Sequence, residues 1–199
     1  MQLANHRCGG FTLVELMISI TIILLLTSVV VVRFSSFDST TLLKSAAYEL
    51  ATTIREAQVY SVSVLGNDDP TFDLPYGVTF TPGARSYTLF QYIGLVRPTY
   101  DGSAADVYTR IFDRSAEISD ICIVIGGTET CSSSDPGLTQ LDISFQRPEF
   151  IAIITASGYN DAENDSIESV LIKLSTPNGD NEWVVEVGVL GHISVKQQP

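Results

Sequence analysis

From Phe11 to Val32 the chain runs for 22 residues with one charged side chain, Glu15, and no Lys, Arg, Gly or Pro. At about 1.5 Å per residue, a helix of that length spans the roughly 30 Å hydrocarbon core of a bilayer. Beyond it the apolar positions thin to a stripe. Leu43, Ala47, Leu50, Ile54 and Ala57 recur at alternating steps of four and three, which is one helical face, while Lys44, Glu49 and Glu56 occupy the others. No Gly or Pro interrupts Phe11 to Leu65, so the pattern predicts one long helix, bilayer-length at first and then amphipathic, with its stripe packed on a soluble domain. Ser35-Ser36-Phe37-Asp38-Ser39-Thr40-Thr41 is the expected place for a kink or a second N-cap. Gly66-Asn67-Asp68-Asp69-Pro70 then stops the helix.

After residue 65 the period drops to two, the spacing of strands. Tyr76 to Thr81 and Ser86 to Tyr92 flank Pro82-Gly83-Ala84-Arg85 as a hairpin, and Leu141, Ile143 and Phe145 alternate with Asp142, Ser144 and Gln146. Phe150 to Thr155 follows a turn at Arg147-Pro148; Ser169 to Ser175, Glu182 to Val189 and Ile193 to Lys196 complete the series. The predicted class is α+β: residues 1–10, a helix over 11–65 with its membrane part at 11–32, and a β-rich head over 66–199 built as an antiparallel sheet or a β-sandwich.

Charge sharpens this division. The chain carries 11 basic and 23 acidic residues, net −12; Gly66 to Pro199 holds 7 and 19 of them, so the first 65 residues are neutral and the head bears all the net charge. Such a surface keeps the head soluble and repels phosphate backbones, which disfavours nucleic acid as a partner. The head is long enough for one domain with its own core.

Glu15 is the residue that most needs explaining. An ionisable group inside a membrane span costs several kcal/mol unless paired, which marks it as a functional site. Cys8-Gly9-Gly10 precedes the span with small residues accessible to a protease, whereas an ordinary secretory signal has a shorter apolar core and its cleavage site beyond it. Arg7 favours a cytoplasmic N-terminus. Gly10-Phe11-Thr12-Leu13-Val14-Glu15-Leu16-Met17-Ile18 and the apolar run behind it resemble the class III signal of type IV prepilins and pseudopilins. The resemblance implies cleavage after Gly10 by a membrane-embedded prepilin peptidase and N-methylation of the new terminal amine on Phe11. It also implies that Glu15, fifth in the processed chain, meets the terminal amine of a neighbouring subunit. Desolvation offsets much of that attraction, so the pair is read as setting register more than adding stability.

The long helix leading into an all-β head with a final Gly-x-x-x-Val strand resembles the FimT and GspH branch of minor pilins and pseudopilins. That implies a filament subunit with other pilins or pseudopilins, the inner-membrane assembly platform and membrane lipid as partners, and an extracytoplasmic head on a single-pass membrane helix. Where that branch can carry a DNA-binding Gly-Arg-x-Arg element, this chain reads Gly191-His192-Ile193-Ser194, so a DNA-binding role is not carried across. The alternative reading is an anchored, extracytoplasmic ligand-binding module that never polymerises.

With Cys8 in the leader, Cys122 and Cys131 remain. Folding about Gly126-Gly127 puts Ile125 opposite Thr128 and Cys122 opposite Cys131, a non-hydrogen-bonded pair about 4.5 Å apart, so the reading is a disulfide, with two free thiols as its alternative. In the acidic loop Asp161, Glu163 and Asp165 offer hard oxygens for Ca²⁺, yet the EF-hand pattern is broken at Ser166 and Ile172, and a solvated loop is the simpler reading. No other cofactor or metal is expected. His192 is the sole histidine after the leader, and neither a nucleophile elbow nor a phosphate-cradling loop occurs, so the chain is not expected to be an enzyme and no catalytic residue is assigned.

Overall fold

A computed structural model describes residues 10–63, 74–92, 99–102, 105–112, 116–146, 150–159, 166–177, 179 and 181–198, with the backbone alone over 31–39. Helix α1 spans Leu13–Val62, 50 residues. Ten strands follow: β1 Tyr76–Phe80, β2 Ser86–Gln91, β3 Ala105–Ile111, β4 Glu117–Ile125, β5 Thr128–Cys131, β6 Gln140–Phe145, β7 Ala152–Ser157, β8 Ser169–Ser175, β9 Glu182–Gly188 and β10 Ile193–Gln198. The chain divides into two compact units, Met1–Ser39 and Thr40–Pro199. In the first, Leu13–Val30 has a mean hydropathy of 2.5 and none of its residues is buried within the chain. Its hydroxyls are satisfied locally: Ser19 donates to the Glu15 carbonyl at 2.8 Å and Thr27 to that of Ile23 at 2.9 Å, which lets these polar side chains sit in an apolar helix.

The helix passes unbroken through Ser35 to Thr41, so the second N-cap expected there does not form. Ser, Thr and Asp side chains favour caps, but a new cap also needs a new helix nucleus, while continuing an existing helix adds a hydrogen bond for each residue ordered. The expected stop at Gly66 to Pro70 lies outside the described residues; α1 ends earlier, at Val62, and Ser63 N–H closes its last turn on the Val59 carbonyl at 2.8 Å.

The second unit joins the amphipathic end of α1 to two antiparallel sheets of order β3-β2-β1-β6-β7 and β10-β9-β8-β4-β5. Leu43, Ala47, Leu50, Ile54 and Ala57 are fully buried, in one core with Val78, Phe80, Ile143 and Phe145 of the first sheet and Ile121, Ile172, Leu174 and Val185 of the second. Each buried Leu or Ile contributes about 1.5–3 kcal/mol, so the stripe alone is enough to hold helix to sheets. Its flanks are polar. Glu56 accepts from the Tyr60 hydroxyl at 2.6 Å and the Tyr108 hydroxyl at 2.5 Å, tying α1 to the edge strand β3. Asn181 donates to Thr40 at 3.1 Å, and Lys44 lies 5.7 Å from the centre of the Trp183 ring. Gln58 donates to the carbonyls of Phe150 and Gly191 at 3.4 and 3.5 Å.

Three features depart from the strand pattern. β3 was not marked by alternation, and its residues are almost wholly exposed; it exists through pairing with β2 and a Thr88–Thr109 hydroxyl contact at 2.9 Å. The strand expected from Phe150 begins at Ala152, because Ala152 N–H is drawn to the Val189 carbonyl at 2.8 Å. On β6 the polar alternates Asp142 and Ser144 are fully buried, so both faces are covered. Over Asp142, the Tyr100 amide donates at 2.9 Å, Gln140 bridges the carboxylate to the Tyr100 carbonyl, and the Tyr100 ring packs 5.3 Å from Phe90.

Burial pushes the Asp142 carboxyl above its ordinary value, only partly opposed by hydrogen bonds from Thr79, Tyr100 and Gln140. A carboxyl that binds its proton more tightly folded than unfolded stabilises the fold as pH falls, and that contribution is lost as pH rises through the folded-state value. The Asp142→Asn chain should therefore lack a component of the stabilisation gained between pH 7 and about 4. Parallel thermal melts of the two chains across that range check this; identical pH dependence would refute it.

Candidate functional site

The N-terminal segment is built from its cap upward. Gly10 and Phe11 precede the helix and are exposed, Phe11 at 77%. Thr12 is the N-cap: its Oγ1 accepts the Glu15 amide at 3.3 Å and its carbonyl accepts the Leu16 amide at 3.1 Å. Thr12-Leu13-Val14-Glu15 has the form of a capping box, a signal readable in the sequence. A carboxylate in the first turn also lies near the positive end of the helix dipole. Leu13, Val14, Leu16 and Met17 around it are all more than half exposed, so nothing within the described chain shields Glu15 from the medium that surrounds the span. The segment thus offers a short, accessible stretch at Gly10-Phe11 and one carboxylate a turn away on an apolar rod.

Residues 5–31 match the family model of the prokaryotic N-terminal methylation motif. They are a type IV prepilin or pseudopilin leader. The motif marks this chain as a pilin-like precursor and, with the apolar helix behind it, points to an N-terminal membrane anchor. Neither a curated protein nor a solved structure matches it.

In the head of this pilin-like precursor the second set of sequence-predicted residues comes together. Gly126 and Gly127, with φ of 57° and 76°, form the two-residue turn that primed hairpin geometry requires. The register pairs Ile125 with Thr128 and Cys122 with Cys131. The two sulfurs are bonded at 2.05 Å, with their Cα atoms 3.9 Å apart. Asp120 lies on the same face, its carboxylate within 4.8 Å of both sulfurs. The three do not form a metal-ligand set, since the sulfurs are spent on each other and the carboxylate already takes hydrogen bonds. Its donors are the amides of Ile121 and Ser133 at 3.0 and 3.1 Å, the Ser133 hydroxyl at 2.6 Å and the Ser132 hydroxyl. Burial raises the Asp120 pKa, but these donors outweigh it and hold the carboxyl below its ordinary value.

Sequence reasoning missed Asp120, Glu129 and Lys173 as neighbours of the disulfide. Lys173 on β8 lies 3.6 Å from the Cys131 sulfur and 2.8 Å from Glu129. The period of β8 marks it as an outward residue; only the pairing of β8 with β4 reveals its target. The calcium candidates Asp161, Glu163 and Asp165 lie outside the described residues, as does Cys8. His192 is exposed beside β10 and joins no cluster of metal-ligating groups among the described residues.

Proposed function

We propose that the chain is a minor pilin or pseudopilin, a structural subunit of a type IV pilus or a type II secretion-type filament. After cleavage behind Gly10 and methylation of Phe11, the subunit stays in the cytoplasmic membrane with its head outside. It then enters the filament by packing its apolar helix against those of other pilins at the assembly platform. The observation that carries this reading is the methylation motif over residues 5–31 running without a break into an apolar helix with one acid in its first turn. A filament core explains that acid: Glu15 faces an apolar medium with no partner among the described residues, and the terminal amine of an adjacent processed subunit is the partner that would relieve it. The acidic head and the absence of arginine at 192 and 194 favour a structural role over DNA capture.

The test is the mass and N-terminal sequence of the chain recovered from its native membrane. A chain beginning with N-methyl-Phe11 is the expected result. A chain beginning at Met1 would remove the amine that Glu15 is to meet and would leave an anchored binding module in its place.

A further inference from the structure

We infer that Cys131 is the sulfur through which the head disulfide is made: it is the site of the mixed disulfide with a thiol–disulfide oxidant, and Lys173 is the residue that readies it. The inference rests on the head hairpin alone and is independent of how the N-terminus is processed.

The two cysteines are chemically unequal. Cys122 lies on β4, hydrogen-bonded between β5 and β8, and is fully buried; Cys131 ends the four-residue strand β5, which among the described residues has no strand beyond it, and keeps 9% of its surface. An incoming disulfide therefore has an approach to Cys131 that Cys122 lacks. Lys173 places its ammonium 3.6 Å from the Cys131 sulfur, with 15% of its side chain exposed. A cation at that range favours the thiolate, which is the attacking species. Glu129 holds the ammonium in place at 2.8 Å, and its Oε1 lies 3.1 Å from the sulfur. Glu129 opposes the thiolate by its charge, but it is neutralised by Lys173 and 44% exposed, so solvent screens it more than the less exposed ammonium. Asp120 is within 4.8 Å of both sulfurs and disfavours either thiolate. Among the described residues no cation hydrogen-bonds Cys122 to compensate.

The steps balance. The Cys131 thiolate attacks one sulfur of an oxidant RS–SR, forming Cys131–S–SR and expelling RS⁻. The Cys122 thiolate then attacks the Cys131 sulfur, closing the hairpin bond and expelling the second RS⁻. The two cysteine protons end on the two RS⁻ groups, so the head dithiol is oxidised and the RS–SR bond is reduced. In reverse, a reductant that reaches Cys131 must expel Cys122 as a thiolate into a buried site beside Asp120. A poor leaving group slows that step, so the same asymmetry that directs the first attack to Cys131 protects the finished bond.

Single-cysteine variants of the full chain in a Cys8→Ser background, held in detergent, test this with oxidised glutathione as the probe and mass spectrometry as the readout. At pH 7 the mixed disulfide should form at least tenfold faster on Cys131, in the Cys122→Ser chain, than on Cys122, in the Cys131→Ser chain. In concentrated urea the two rates should converge. Lys173→Met in the Cys122→Ser chain should slow the reaction severalfold and move the midpoint of its pH–rate profile upward, and Lys173→Arg should restore both. Equal or reversed native rates, a ratio that survives in urea, or a Lys173→Met chain with unchanged rate and midpoint would each overturn the inference. The native rate ratio needs no lysine variant, so it tests the inference even if Lys173→Met fails to fold.

Discussion

The Glu15→Ala chain is expected to enter filaments at least tenfold less efficiently than the native one while its head melts at the same temperature. The substitution removes a carboxylate from an exposed position on the apolar helix, in a compact unit separate from that of the head, which begins at Thr40. Its cost falls on the assembled state. There the neighbour's amine would be left buried without a counter-charge, which costs about 3–5 kcal/mol, and each 1.4 kcal/mol is about tenfold in an association constant. Glu15→Gln should share the defect, since it keeps the shape and loses the charge, and Glu15→Asp should recover part of the assembly. Quantifying subunits in sheared filaments against subunits left in the membrane reads the effect. Native-like incorporation of Glu15→Ala would end the pairing argument and leave the apolar rod as the whole assembly device.

The second large effect is expected from a methyl group at Gly191, at the junction of helix and head. Gly191 has φ of +79°, and a Cβ there would lie 2.3 Å from the Phe150 carbonyl oxygen and 2.7 Å from the Gln58 side-chain nitrogen. The turn before β10 thus lies flat against the segment leading into β7, with Gln58 of α1 binding both backbones. Gly191→Ala should destabilise the head by about 3–4 kcal/mol, combining left-handed backbone strain with a clash that only backbone movement relieves. At about 2–4 °C per kcal/mol, this lowers the melting temperature by roughly 10 °C. Gly83→Ala is the control: φ is +74°, but its Cβ meets nothing within 4 Å, so it should lose only the strain, about 1 kcal/mol. Comparable losses from the two substitutions would refute the close-packing account of Gly191.

Where a structural signal lies within a few residues, the head was legible. The span, the stripe from Leu43 to Ala57, the strand from Ser169 to Ser175 and the pairing of Cys122 with Cys131 all follow from periods and turn chemistry, and all are present. β3 left no such trace. Its side chains are exposed on both faces, so burial imposed no alternation on them, and only pairing with β2 makes the segment a strand. Asp142 and Ser144 misled for the opposite reason: polar alternates normally mark a solvated face, but here backbone and side chains around Tyr100 and Gln140 cover that face and supply hydrogen bonds. Glu56 belongs with them: its place off the apolar stripe marks a polar face, yet it is held by two tyrosines, one of them distant in the chain.

The sequence by itself determined that the chain has a membrane-length apolar helix with one acid near its start, that its leader is of the prepilin type, and that an acidic α+β head follows. These are local properties, set by the cost of a charge or an unpaired backbone in lipid and by side-chain period, and each can be read in a window of some twenty residues. Tertiary structure alone decided the order of the two sheets, the covering of Asp142, the seating of Gly191 against Gln58 and Phe150, and the meeting of Lys173 with Cys131. Those depend on which distant segments share a face, and strand pairing across a sheet is set by the packing of the whole core.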